Sequence, residues 1–403
     1  MKLALGGLLL AGAWVGPAAA EPLSVKPSID ARLRYETVDQ AGLSRDAEAL
    51  TARLRVGAEI KSGDWSLLAE GEGTAALSEH YNSGLNGKTL YPLVADPENI
   101  ELNRLQLQYR GVAGTTVTVG RQRLNLDDQR FVGAVGWRDN EQTFDALRLE
   151  AQPLKNMKAD FIYAWSVRTI WGIDGKGARP QAIGGNNLLS NLAYASPLGT
   201  LTGFAYLVDQ DEAAVQGFRL SSQSYGLRFA GSQLLSPKVK LNYLASYARQ
   251  SDYHRNPNHY AASYYLLEGG LDVSAVKLAL GYEVLGADNG RALTSFQTPL
   301  ATLHKWQGWA DKFTITPPNG LRDLYASGGV GSKKVGGLDA ISALLTYHRF
   351  DSDRLNIDYG REWDAQVSAK RGRWTATAKF ASYQAKHFAT DTRKVWLMLE
   401  WAY

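Results

Sequence analysis

The stretch Lys394–Tyr403, KVWLMLEWAY, has the alternating pattern of a β-strand with two different faces. Side chains along a strand point to opposite sides in turn, so one face is apolar and ends in aromatic residues, whereas the other carries two charges. The apolar face consists of Val395, Leu397, Leu399, Trp401 and Tyr403. The other face consists of Lys394, Trp396, Met398, Glu400 and Ala402. This pattern is typical of the closing strand of an outer-membrane β-barrel, in which the apolar face meets lipid and the mixed face meets the lumen. An edge strand of a soluble sandwich is the alternative for this stretch alone.

The first twenty residues predict a secretory signal peptide. They read MKLALGGLLLAGAWVGPAAA, with Lys2, a short apolar run and three alanines before Glu21. A basic start, an apolar centre and a small-residue A-x-A site are the features of a cleaved signal, and cleavage is expected after Ala20. No later segment approaches about 18 uninterrupted apolar residues, the length of a membrane-spanning helix. The expected organisation is a signal peptide over residues 1–20 and one exported barrel over residues 21–403.

The composition fits a barrel better than a soluble enzyme. The mean hydropathy is -0.27, yet the 403 residues include 20 Tyr, 11 Trp and 40 Gly. A barrel explains the low hydropathy, because half of each strand faces a water-filled lumen. It also explains the many Tyr, Trp and Gly residues, because a barrel has aromatic girdles and tight turns. The chain has no cysteine, which excludes disulfides and thiolate metal sites. Its 44 basic and 40 acidic residues nearly balance, which argues against a nucleic-acid-binding protein.

Alternation recurs along the chain and allows the strands to be counted. Tight turns alternate with longer polar segments, as expected for short periplasmic turns and long extracellular loops. The predicted strands lie near residues 29–36, 50–60, 65–77, 99–111, 115–123, 143–151, 157–169, 187–195, 200–209, 223–234, 238–250, 262–274, 276–285, 320–330, 338–350, 362–370, 374–385 and 393–403. If both termini are periplasmic, the number of strands must be even. A strand over Leu321–Val330, followed by a turn over Gly331–Gly337, meets this condition. The prediction is an all-β antiparallel barrel of about 18 strands, and sixteen is the alternative because 187–195 and 320–330 have the weakest patterns.

A basic strip on the first two strands has the parity of the lumen. Its arginines are Arg32, Arg34, Arg53 and Arg55, and its carboxylates are Asp30, Glu36 and Glu59. Four arginines against three carboxylates leave the strip incompletely neutralised. Because guanidinium groups bind carboxylates in a fork geometry, the strip is predicted to attract anionic solutes. The alternative is a wall of salt bridges between neighbouring strands.

The densest charged stretch is Gly120–Asp145, GRQRLNLDDQRFVGAVGWRDNEQTFD. Alternation would place Arg121 and Arg123 toward lipid, so we expect a bulge near Gly120 or a strand end above the membrane. Either a constriction folded into the lumen or a solvated outer loop fits the stretch. Asp127 and Asp128 within it suggest calcium, although no EF-hand pattern is present.

A second loop, Phe296–Gly320, carries Trp306, Trp309 and Phe313. Aromatic side chains near a pore mouth stack on sugar rings or anchor a loop at the membrane interface. The sequence favours anchoring.

Motifs of catalysis are missing from the sequence. It has no G-x-S-x-G elbow, no H-E-x-x-H and no Walker A motif. The six histidines lie mostly in predicted outer loops. The protein is therefore not expected to be an enzyme, and no cofactor or metal is expected.

Several blocks together resemble the alginate export family of outer-membrane porins. They are VGRQRLNLDDQRFVGAVGWRDNEQTFDALRLE (Val119–Glu150), FQTPLATLHKWQGWADKF (Phe296–Phe313), PNGLRDLY (Pro318–Tyr325), DYGREWDAQVSAK (Asp358–Lys370) and ATDTRKVWLMLEWAY (Ala389–Tyr403). The resemblance implies an 18-stranded barrel with an arginine-rich constriction that conducts a polyuronate from the periplasm to the cell exterior. Two features depart from it: the chain is shorter than the exporter, and its lumen carries more carboxylates than a polyanion conduit needs.

The sequence thus predicts a monomeric channel in the bacterial outer membrane that passes anionic saccharide or uronate-type solutes by diffusion, with alginate or acidic polysaccharide export as its narrow form. Alternatives are a general uptake porin for sugars and small carboxylates, or a barrel-embedded enzyme. Expected partners are outer-membrane lipid, the solute and the barrel-assembly machinery, which would engage the C-terminal strand. The predicted pore-lining residues are Arg32, Arg34, Arg53, Arg55, Glu59, Arg104, Arg121, Arg123, Asp127, Asp128, Arg130, Arg138 and Asp145.

Overall fold

Eighteen antiparallel strands account for most of the computed structural model, which describes residues 23–403. The predicted signal peptide, residues 1–20, lies outside the described residues. The strands are β1 (Ser24–Gln40), β2 (Ala47–Ser62), β3 (Trp65–His80), β4 (Asn99–Tyr109), β5 (Thr115–Gln122), β6 (Thr143–Ala151), β7 (Met157–Arg168), β8 (Ala182–Ser196), β9 (Gly199–Val208), β10 (Ser222–Ser236), β11 (Val239–Asp252), β12 (Ala261–Val273), β13 (Val276–Leu285), β14 (Leu321–Val335), β15 (Leu338–Asp351), β16 (Asp358–Arg371), β17 (Trp374–Ala385) and β18 (Thr392–Ala402). Two short 3-10 turns, Gln216–Phe218 and Leu303–Lys305, lie in the loops.

The sheet closes on itself. Each strand pairs with its neighbours in sequence, and β1 pairs with both β2 and β18. In the closing pair Leu33 lies opposite Leu399, and Arg32 lies opposite Glu400. Closure satisfies the backbone groups that an open sheet edge would expose. The prediction of 18 strands is confirmed, and the alternative of sixteen is wrong.

The two faces of each strand differ as the sequence pattern predicts. In β18, Leu397 is 53% exposed while the adjacent Trp396 is fully buried inside the barrel. The outer face is a band of Leu, Val, Tyr and Trp side chains, and the inner face carries most of the charges. No helix in the part of the chain that the structure describes is long and apolar enough to cross a membrane.

One end of the barrel has tight turns and the other has long loops. The turn between β14 and β15 is shorter than predicted, because β14 continues through Lys333 and Lys334 to Val335. Gly336 and Gly337 form it with φ angles of 58° and 82°, values that favour glycine. Short turns mark the periplasmic end of such barrels and long loops the extracellular end.

Three loops from the long-loop end fold into the barrel: loop 2 (residues 81–98), loop 3 (residues 123–142) and loop 7 (residues 286–320). The apolar side chains of loops 3 and 7 form one buried cluster with inward side chains of the wall, and Tyr81 and Val94 of loop 2 belong to a second, smaller cluster with β1 and β2. Leu124 and Val132 of loop 3 and Phe296 of loop 7 are at most 1% exposed. The packed core of this protein therefore lies between loops 3 and 7 and the inner face of the strands against which they pack.

Candidate functional site

Loop 3 crosses the lumen and is joined to loop 7. Val132 forms an isolated parallel bridge with Leu300, and the backbone N–H of Gly133 donates to the Leu300 carbonyl at 2.8 Å. Arg130 Nε donates to Glu283 Oε1 on β13 at 2.5 Å, far around the wall from β5 and β6, which carry the loop. Of the two interpretations of this stretch, the constriction is therefore observed and the solvated outer loop is wrong.

Loop 2 holds loop 3 against β1 through one carboxylate. Asp96 is fully buried and accepts hydrogen bonds from Arg34 at 2.7 Å, from Arg138 at 3.3 Å and from the Asp139 N–H at 2.7 Å. Burial alone would raise the pKa of Asp96, but the two guanidinium groups outweigh it and lower the pKa to about 2. The tether is therefore ionised over the whole physiological range.

The aromatic residues of loop 7 lie inside the barrel, so the predicted anchoring at the membrane interface is wrong. Phe313 is 4% exposed and packs on Phe350 with ring centroids 4.5 Å apart. The His304 ring stacks on Trp137 of loop 3 at 4.2 Å. A loop that buries its aromatic residues in the lumen leaves none of them to contact lipid headgroups.

His304 also joins loop 7 to the wall by one hydrogen bond and is held by a second one within the loop. Its Nδ1 lies 2.8 Å from Asp311 Oδ1, and its Nε2 lies 2.9 Å from Lys379 Nζ on β17. A carboxylate only accepts and an ammonium only donates, so Nδ1 carries the proton and Nε2 is the acceptor. Burial, with the charge of Lys379 adding to it, holds the pKa of His304 well below its usual range despite Asp311.

A cavity of about 590 Å³ lies between loop 3 and the periplasmic rim. Five arginines and four carboxylates line it, together with Trp137 and Tyr403. The charged lining residues are Arg32, Arg53, Arg55, Arg104, Arg123, Asp30, Glu70, Glu141 and Glu400. The basic strip of the first two strands is thus brought together with arginines from β4 and loop 3.

Most of these arginines have carboxylate partners. Arg104 makes a two-pronged contact with Glu70 at 2.8 and 2.5 Å, and Arg123 Nε donates to Glu141 at 2.8 Å. Arg55 also reaches Glu141 at 3.5 Å. The three carboxylates on the first two strands therefore do not determine the charge balance of the lumen by themselves. Further carboxylates come from β3 and from loops 2 and 3.

Arg53 also has a carboxylate partner, but two of its guanidinium nitrogens are left without one in the described part of the chain. Its side chain is 1% exposed and pairs with Asp30 through Nη2. Within residues 23–403, Nε and Nη1 of Arg53 have no hydrogen-bond partner. A buried donor without a partner costs about 1–3 kcal/mol, more when it is charged, so Arg53 carries unsatisfied hydrogen-bond donors at the wall of the cavity.

Two predicted pore-lining residues lie on the outer face of the wall. Arg121 is paired across the sheet with Leu105, which is 44% exposed on that face, and it binds Asp145 at 2.8 and 3.1 Å. The register remains regular through Gly120, so the expected bulge is wrong and the strand ends at Gln122. Arg121 also donates to the Leu102 carbonyl at 2.9 Å, where β4 extends beyond β5. The pair therefore seals a corner of the wall instead of lining the pore.

The other predicted residues take separate positions. Asp127 accepts from Asn191 at 2.8 Å and lines a second cavity of about 520 Å³ on the other side of loop 3. Asp128 binds Arg228 at 3.0 Å, so the two aspartates face different partners, and the described residues contain no metal-type cluster of three His, Cys, Asp or Glu side chains. Glu59 lies near the periplasmic end, where it binds Ser66 at 2.6 Å.

Sequence reasoning missed the buried roles of Asp96, Asp139 and Glu141. These carboxylates lie in loops, where no periodicity marks a direction. The one signal in the sequence was a loop rich in both basic and acidic residues. This signal fits a constriction in the lumen and a solvated outer loop equally well.

Comparisons with known proteins agree with this architecture. Residues 23–181 match the family model described as alginate export. Solved structures similar to the chain include Pseudomonas aeruginosa OpdO, with 15% identity, TM-score 0.69 and coverage of 94% of this chain and 97% of that one. Acinetobacter baumannii OccAB4 has 15% identity, TM-score 0.69 and coverage of 94% and 98%. Pseudomonas aeruginosa OpdK with vanillate has 13% identity, TM-score 0.68 and coverage of 94% and 98%.

No curated protein matches the sequence. The solved structures share the fold, and the alginate export match covers the strands and loops that build most of the arginine-lined cavity. The predicted resemblance is confirmed over residues 23–181, which are similar to the alginate export family, and the protein is a bacterial outer-membrane β-barrel with the fold of the porins to which it is similar.

Proposed function

We propose that this barrel passes small anionic solutes by diffusion and that the arginine-lined cavity selects them. The observation that carries the proposal is Arg53, whose buried Nε and Nη1 lack partners in the described residues at the wall of that cavity. A solute carboxylate offers oxygens that match a guanidinium fork. Transient pairing at this point would lower the barrier for an anion without holding it tightly, since Asp30 already neutralises part of the charge.

The cavity and the comparisons support this choice of solute class. A volume of about 590 Å³ lies in the range of small-molecule sites. Arginine forks favour carboxylates such as uronates, and the similar OpdK structure contains vanillate. We infer passage of acidic saccharides or small carboxylates, with outward movement of alginate or another acidic polysaccharide as the narrower form.

General uptake of sugars and small carboxylates is the second candidate. It is favoured by the four carboxylates among the five arginines of the cavity lining, which moderate the positive field. Swelling of vesicles that contain the protein separates the two, with glucose, glucuronate and short oligouronates as solutes. Faster entry of glucuronate than glucose supports the anionic channel, and equal entry supports the general one.

Ion selectivity in planar bilayers under a salt gradient tests the role of the cavity. At about 6 Å, removing one charge changes the energy of a passing monovalent ion by about 0.7 kcal/mol in water, which is roughly a threefold change in local concentration. We expect the wild type to prefer anions and R53Q to lose much of that preference. E400Q is the matched control, because it removes a charge of opposite sign from the same cavity and should increase the preference. A wild type that is indifferent to charge contradicts the proposal.

A further inference from the structure

Arginines form a row on the outer face of the barrel near its extracellular end. Arg322, Arg349, Arg361 and Arg393 occupy outward positions on β14, β15, β16 and β18. Each lies between two inward residues that are at most 8% exposed, or beside a buried glycine in the case of Arg361. They are not part of the lumen and take no role in the proposed passage of solutes.

Two of these arginines lie directly opposite each other. Arg349 pairs with Arg361 in the antiparallel register of β15 and β16, which places their Cβ atoms about 4.5–5.5 Å apart. Arg361 donates to the neutral Gln384 at 2.8 Å, and Arg349 lies 3.4 Å from Asp351. Among the described residues, Arg361 and Arg393 make no ion pair. Like charges at opposite positions destabilise a sheet, and within the described structure Asp351 forms an ion pair only with Arg349, so an anion placed between the two arginines would stabilise the pair.

The height of this row is marked by aromatic residues. Tyr347 and Trp363 lie two residues from Arg349 and Arg361 on the same outer face, with ring centroids 4.8 Å apart. Tyr and Trp girdles mark the level of the lipid headgroups. The guanidinium groups therefore lie at or just above the headgroups of the outer leaflet.

An apolar groove of about 460 Å³ lies lower on the outer face, over β16, β17, β18, β1 and β2, so it shares β16 and β18 with the row. Its floor is formed by Ala376 and Ala378 of β17, between Val367 of β16 and Leu397 of β18. Val367 is six residues below Arg361, which is about 20 Å along a strand. This outer face therefore combines cations at headgroup level with an apolar groove beneath them that can hold a hydrocarbon chain.

We propose that this face binds a phosphorylated lipid of the outer leaflet. Arg349 and Arg361 hold its phosphate, Arg322 and Arg393 flank it, and an acyl chain lies in the groove over Ala376 and Ala378. Phosphate accepts forked hydrogen bonds from arginine, and one phosphate between the opposed arginines removes their repulsion. The half of the barrel that carries the row is thereby fixed to the lipid leaflet.

Native mass spectrometry of the full chain in detergent, titrated with bisphosphorylated lipid A, tests the proposal. We expect a bound lipid on the wild type and at least about tenfold weaker binding for R349Q/R361Q, since two charge-assisted contacts are lost. The matched control R371Q/K334Q removes two charges from the periplasmic ends of β16 and β14 and should bind as the wild type does. A376L/A378L fills the groove and should also weaken binding, although it keeps every charge.

Three results would overturn the proposal: unchanged binding by R349Q/R361Q, equal binding of dephosphorylated lipid A, or displacement of the lipid by inorganic phosphate at equal concentration. The last would identify a site for free anions. Heat-modifiable electrophoretic migration verifies that each variant is folded, and the single variant R361Q replaces the double one if it fails to fold.

Discussion

Protonation of His304 should destabilise the contacts of the constriction. The neutral ring accepts from Lys379 at 2.9 Å and donates to Asp311 at 2.8 Å. Protonation would set an imidazolium against the ammonium of Lys379, and burial already lowers the pKa of His304. A group whose folded pKa is depressed stabilises the fold fully above its unfolded pKa of about 6.5 and loses that contribution as the pH falls below it.

We therefore expect the urea midpoint of the wild type in lipid vesicles to fall between pH 7.5 and pH 5. H304Q should flatten this dependence, because the glutamine amide still donates to Asp311 and accepts from Lys379 but does not titrate. H80Q, which changes an exposed histidine, serves as the control and should keep the wild-type slope. Equal slopes for the wild type and H304Q would contradict the assignment.

At the scale of single residues, the sequence predicted the inward direction of the arginines on the first two strands but not what they bind, and it was wrong for Arg121. Arg32, Arg34, Arg53 and Arg55 follow from strand parity alone. The partners of Arg34, by contrast, come from Asp96 and Asp139 in loops 2 and 3, far along the chain. Contacts between distant loops have no periodic signature, so charge counting on two strands overestimated the free positive charge.

Loops 3 and 7 act together as one element. Gly133 of loop 3 has no room for a side chain, since a Cβ there would collide with Thr302 of loop 7 and with the Gln129 Cβ. G133A should therefore displace loop 3 from loop 7 and widen the path. Single-channel conductance should rise relative to the wild type.

The control for this prediction lies three residues away. A Cβ on Gly136 would have no neighbouring atom within 4 Å, so G136A should conduct as the wild type does. An equal conductance for all three proteins would mean that loop 3 does not limit the path.

Elements were predictable to different degrees for a physical reason. Strands such as β6 and β13 begin and end where the alternation does, because lipid on one side and water on the other impose a period of two. Loops 3 and 7 have no such two-sided environment. Their position inside the barrel depends on pairs such as Arg130 with Glu283, which are separated by more than 150 residues.

For the whole molecule, the division into lipid and lumen faces is the feature that strand alternation predicts most directly. Leu397 lies at mid-strand on β18, opposite Ala378 on one side and Tyr35 on the other, and it is 53% exposed. A charge there would face the hydrocarbon layer, where arginine costs about 2–4 kcal/mol at the midplane and little near the interfaces.

L397R should therefore lower the free energy of unfolding in lipid vesicles by about 2–4 kcal/mol. L198R places the same side chain in the tight turn between β8 and β9, where Leu198 is 64% exposed, and should cost less than about 1 kcal/mol because this turn lies at the end of the barrel. Urea titration of both variants measures the difference. If the two costs were equal, the apolar band around β18 would not lie at the depth of the bilayer, and the placement of the arginine row at headgroup level would lose its reference.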